Sequence, residues 1–190
     1  TLARRAYRRP VGADDLSPLV ERFRSGRREK DFDTGIQLAI ERMLVSPSFL
    51  FRVVEPPATS TPGGAYRLSD LQLASRLSFF LWSSIPDDQL VELAVRGRLR
   101  EPAVLERQVR RMLADPRSLT LASNFVQQWL DMKRLDEIVP DSAVFPYASG
   151  RADPREDFRT ELTLFADSIF REDRSVVDLL TSDLTFLNEQ

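Results

Sequence analysis

The chain has 190 residues, 42% of them hydrophobic and 29% charged, with a formal net charge of −2. That is an ordinary globular composition, long enough to bury a core, and it sets up no overall field directed at nucleic acid. Cysteine and histidine are both absent, which excludes disulfides, thiolate chemistry, covalent c-type haem attachment, Ser-His-Asp triads and ordinary zinc or histidine-ligated haem sites within these residues.

Taken in order, Leu2 to Arg9 reads as a short basic helix stopped by Pro10. Asp14 or Ser17 can cap a second helix reaching Arg24, with Gly26 past its end. Asp31 opens a third, in which Phe32, Ile36, Ile40, Met43 and Leu44 recur at helical spacing and are expected inward. Ser46-Pro47 breaks it, and Phe49-Leu50-Phe51 follows as one apolar turn. Residues 1–52 hold eleven Lys/Arg against seven Asp/Glu, whereas residues 53–190 hold sixteen against twenty-two. Three prolines and two glycines between Glu55 and Ala65 rule out a regular element. The expected organisation is therefore a helical segment over 1–55, a linker over 56–65 and a helical domain over 66–190.

The stretch Arg67 to Asp88 organises the second part. Ser69 with Gln72 is a capping-box signature that starts a helix near Asp70. From Leu77 to Trp82 this helix is apolar on nearly every side, the pattern of a core helix. Pro86 suits the first turn of a helix to Arg96, with Gly97 as its C′ residue. Glu101-Pro102 and Asp115-Pro116 open two further helices. Some twenty irregular residues from Asp136 to Asp153 form a loop that Phe145 and Tyr147 can pin, and a partner surface suits such a loop. Asp153-Pro154 begins a long helix and Ser175 a short final one. The fold class is all-α: an irregular array of about eight helices with no significant sheet. No run is long and apolar enough to span a membrane.

Arg76 lies inside the most apolar helix, and a buried arginine needs a carboxylate partner. The expected arrangement is a structural buried charge, Arg76 paired with Asp87 or Asp88, or with a carboxylate of the 154–171 helix. An anion site at Arg76 is the second reading. Arg4, Arg5, Arg8 and Arg9 surround Tyr7 and could grip phosphate or nucleic acid, but a solvated face paired to the acidic second segment is the preferred reading. The acidic set Glu156, Asp157, Glu161, Asp167, Glu172, Asp173 and Asp178 is expected from helix-end preferences and ion pairing, with metal or hydrolytic use as the sharper alternative. Trp82, Trp129, Phe125 and Phe165 fit a core better than a ligand platform. No catalytic, cofactor or metal residue emerges from this reading.

Several strings resemble one family: RRAYRRP at 4–10, LAIERMLVSPSFLFRV at 38–53, RLSDLQLASRLSFFLWSSIPDDQL at 67–90 and Arg155 to Glu161. QVRRMLADPRS at 108–118, NFVQQWL at 124–130 and REDRSVVDLLTSDLTFLNE at 171–189 belong with them. They resemble the large planctomycete-type surface and cytochrome-associated proteins built of serial domains of unknown function. The resemblance implies the end of one such domain over 1–55 and most of the next over 66–190, the whole being an internal fragment truncated at its C-terminus. It further implies an extracytoplasmic (periplasmic or cell-surface) structural or interaction module, whose partners are other domains of the same chain, among them a cytochrome c domain. Any haem c would lie elsewhere in the full-length protein, with no cofactor in this stretch. Part of a haem-dependent oxidoreductase is the alternative, and a carboxylate-based hydrolase the second alternative.

Overall fold

The computed structural model describes every residue except 53–55, 57–60, 62, 140, 142, 145–153 and 188–190. Most of the expected linker, and the loop residues Phe145 and Tyr147, lie outside the described residues. Among the described residues the chain forms ten α-helices, two 3-10 turns and no strand. In order these are α1 (Leu2–Tyr7), α2 (Ala13–Glu29), α3 (Phe32–Leu44), α4 (Pro47–Leu50), α5 (Asp70–Trp82), α6 (Asp88–Val95) and α7 (Pro102–Ala114). A 3-10 turn (Pro116–Ser118), α8 (Leu119–Trp129), a second 3-10 turn (Met132–Asp136), α9 (Arg155–Arg171) and α10 (Asp178–Thr181) complete the all-α fold.

The chain divides into two compact units, Thr1–Phe79 with Ser84–Gln108, and Phe80–Ser83 with Val109–Gln190. In the first unit, Ala3, Tyr7 and Met43 form a small core with Ala6, Val11, Leu19 and Phe49 packed on it. Helices α2 and α3 lie backbone to backbone. A Cβ on Gly26 would sit 2.8 Å from the Thr34 carbonyl oxygen, and one on Gly35 would sit 2.7 Å from the Phe23 carbonyl oxygen. Gly26 therefore lies within α2, which runs on to Glu29, and is not the stop signal its sequence position implies.

Local signals elsewhere place the helix ends. The Ser69 N–H donates to the Gln72 side chain at 2.8 Å and the Gln72 N–H to Ser69 Oγ at 3.2 Å, closing the capping box of α5. Gly97 has φ +67°, its N–H reaches the Ala94 carbonyl at 3.1 Å, and the Arg98 N–H reaches that of Leu93 at 3.0 Å. These are the two bonds of a Schellman ending for α6. Helix α6 begins after Asp87, whose carboxylate accepts the Leu90 N–H, so Pro86 precedes the cap instead of occupying the first turn.

Helix α5 is not enclosed all round. Ala74, Ser78 and Leu81, spaced i, i+4, i+7, are buried together with Trp82, while Phe80 is 66% exposed. Arg76 precedes Phe80 by one turn and shares its outward face, so Arg76 is exposed as well. The expectation of Arg76 as a buried charge is thereby corrected. Asp88 instead bonds Arg5 at 2.9 Å, and the buried charge on α5 is Asp70, only 5% exposed. Its carboxylate accepts the Leu99 N–H at 2.8 Å and pairs with Arg100.

In the second unit, α8 packs on α9 through Ala122, Val126 and Ala166, with Leu162, Phe170 and Leu179 around them. Trp82 is 2% exposed. Its indole N–H donates to the Met112 carbonyl at 2.9 Å, and the Arg117 guanidinium lies 3.5 Å from the ring centroid. Asp115 holds that guanidinium from the side at 2.7 Å, and the Arg117 bonds lower the Asp115 carboxyl to about 2. Trp82 is thus a core residue, whereas Phe125 and Trp129 stack with centroids 5.5 Å apart and stay partly in solvent.

Because the added methyl meets backbone and a ring edge, Gly35→Ala should lose about 1–3 kcal/mol despite its better helix propensity. A urea midpoint equal to or above that of the wild type would show that α2 and α3 can separate without penalty.

Candidate functional site

The first unit holds a cleft of about 880 Å³ between the end of α1, the α4 turn and the outer side of α5. Arg8, Arg9, Arg52 and Arg76 line it, with Tyr7, Leu50, Phe51 and Leu71 giving apolar surface, and no carboxylate lines it among the described residues. Each arginine is held differently. Arg8 ends α1 in the left-handed conformation, φ 57°, which costs a non-glycine residue on the order of 1 kcal/mol. Its guanidinium offsets that cost by donating to the carbonyls of Ser48, Phe49 and Phe51 at 2.7–3.2 Å. Burial holds the Arg8 guanidinium below its ordinary pKa, and the positive charge of Arg52 pushes the same way.

Arg9 makes a two-pronged pair with Asp15, both bonds 2.7 Å, and sits 5.8 Å from the Tyr7 ring centroid. The Arg9 bonds, with a further one from the Gly12 N–H, lower the Asp15 carboxyl to about 2. The Arg52 guanidinium lies over Phe79, 4.3 Å from the ring centroid. Phe79 follows Arg76 by three residues, so the Arg52 guanidinium rides over the same stretch of helix surface that carries Arg76.

The basic cluster of α1 is thus dispersed to separate uses. Arg5 pairs with Asp88, Arg8 stitches α4 and Arg9 binds Asp15, which fits the expectation of basic residues paired to acidic ones in part. Only Arg8 and Arg9 of that cluster reach the cleft. The acidic residues late in the chain do not converge. Glu156 pairs with Arg159, Asp167 with Arg171 at 2.6 Å, Asp178 with Arg174 at 3.1 Å, Glu161 accepts from Thr185, and Asp173 lies 3.8 Å from Arg110. Among the described residues no group of three or more Asp or Glu side chains is placed to hold a metal ion, and no helix is long and apolar enough to cross a membrane.

A second surface lies on α3. Phe32, Ile36, Ile40 and Leu44 follow one another at i, i+4 spacing and are each 36–59% exposed. Only Met43 of the apolar residues expected inward on this helix is buried.

Residues 68–190 match the family described as PSD4, protein of unknown function (DUF1592). The chain belongs to that family. Residues 1–53 match a second one, PSD5, protein of unknown function (DUF1595), so the chain carries serial domains of unknown function. No curated protein and no solved structure matches it. The family segments and the compact units divide the chain at different places: the whole DUF1595 segment and the first part of the DUF1592 segment share one unit. Within that unit the two segments meet at Arg5–Asp88, at Arg52 on Phe79 and along the cleft. Its walls are Tyr7 to Arg52 from one and Leu71 to Arg76 from the other.

Sequence reasoning did not single out Arg52. It follows an apolar turn, and only the tertiary approach of α5 brings it to Phe79, so no local pattern marks it.

Asp15 titrates lower in the folded chain than the ordinary ~3.9 of an unfolded carboxyl. Its ionised form therefore stabilises the fold fully above that value and ceases to do so as the pH falls toward about 2. Asp15→Asn should lose less stability than the wild type between pH 4 and pH 2, read from urea midpoints across that window. Parallel curves for the two proteins would show the Arg9 pair to be without energetic weight.

Proposed function

We propose that the chain is a non-catalytic helical interaction module of an extracytoplasmic, cytochrome-c-associated multidomain protein, with α3 docking against another domain of the same protein. The observation that carries this reading is the stripe Phe32, Ile36, Ile40 and Leu44 left in solvent along three turns of one helix. Single exposed apolar residues are common, but a contiguous line of large ones is the mark of a surface meant to be covered. Serial domains supply a neighbour in the same chain. The cleft agrees with binding more than with chemistry. Guanidinium groups stay protonated at any physiological pH, so they hold charge without transferring protons.

Hydrogen exchange tests the docking face. Amides of Phe32–Leu44 should exchange about tenfold or more slowly in the full-length protein than in this 190-residue chain, and equal rates in the two would remove the reading. The setting has its own measurement. Cell fractionation of the full-length gene product should place it outside the cytoplasm, in a band that stains for covalent haem. A cytoplasmic, haem-free band would sink the extracytoplasmic and cytochrome assignments while leaving the docking face untouched.

A further inference from the structure

The cationic cleft is separate from the α3 stripe and stands whether or not that stripe docks. Its charge is not balanced by its own lining. Asp15 neutralises Arg9, but Arg8, Arg52 and Arg76 bring three positive charges to walls that hold no carboxylate among the described residues. Gathering like charges beside apolar surface costs folding energy that a bound anion recovers.

The three guanidiniums also differ in what they have left to offer. Arg8 has its donors committed to three backbone carbonyls and acts as a fixed positive wall. Arg52 places its guanidinium carbon 4.3 Å from the centroid of the Phe79 ring, and a guanidinium held over a ring can still donate its N–H groups to two oxygens at once. Arg76 is exposed on the neighbouring turn of α5, on the same cleft wall. Leu50, Phe51 and Leu71 extend the site beyond the charges, and its volume of about 880 Å³ is far larger than a simple ion needs.

From this we infer that the cleft binds a small molecule carrying two or more oxyanion groups on a larger body, with Arg52 and Arg76 as direct donors. Phosphate and carboxylate groups share the recognition chemistry. Two probes separate the sources: tripolyphosphate for clustered phosphates and citrate for clustered carboxylates.

Titration calorimetry on the whole chain, at ionic strength held constant with sodium chloride, should show one saturable site per chain for at least one probe. The tighter probe identifies the source. Arg52→Gln and Arg76→Gln should each weaken that binding about tenfold, the loss expected for a charge-assisted hydrogen bond. Arg22→Gln/Arg24→Gln removes two exposed charges from α2, away from the cleft, and should leave the affinity within about twofold, as screened distant charges do. Since Arg76 is exposed, its glutamine variant keeps the fold and decides the matter even where Arg52→Gln does not fold. Failure of both probes to bind above the chloride background would overturn the inference. So would an equal loss from the α2 double variant, which would mark diffuse attraction in place of a site.

Discussion

The carboxylate of Asp70 sets the geometry on which the first unit depends. It sits at the start of α5, almost out of contact with water, and accepts the N–H of Leu99 while pairing with Arg100. A buried charge is tolerated only when its lone pairs are met, and here one partner is backbone and the other a guanidinium half in solvent. The bond fixes where the chain leaves the Schellman turn after α6 and how α5 is rotated. That rotation buries Ala74, Ser78 and Leu81 and sends Arg76 and Phe80 outward. The cleft wall, Leu71 to Arg76, therefore follows directly from this anchored start of the helix.

Features decided within a few residues were legible in the sequence. Ser69 with Gln72 marks the start of α5, Gly97 the end of α6, and Pro102 the opening of α7, while Pro47, expected only to break α3, is also the first residue of α4. Features decided between elements were not. Gly26 resembles a helix stop but serves the close approach of α3, and the two uses look alike until the second helix is in place. Leucine and phenylalanine on every side of α5 say only that some of them are buried, and its neighbours decide that Leu81 is and Phe80 is not. The spacing of Phe32, Ile36, Ile40, Met43 and Leu44 marks α3 as a helix, but of these only Met43 is buried, because which face meets its neighbours depends on packing that no single helix encodes.

The same distinction applies to the charges. A sequence with arginine as nearly its whole basic complement offers many forks but does not say which meet carboxylates. Arg9, Arg98, Arg117 and Arg171 find theirs within six residues. Arg5 reaches across the unit to Asp88, and Arg52 meets an aromatic face instead. What distinguishes the cleft is this unequal matching: acids and bases are close to balanced over the chain, and locally they are not.

The seam between the two family segments has a genetic corollary. Arg5 belongs to one and Asp88 to the other, Arg52 to one and Phe79 to the other, and the concavity needs both. A crossover that carried residues 68–190 into a new gene without 1–53 would deliver half a hollow and a solitary aspartate. Shuffling at that joint would break both contacts and leave the hollow with one wall.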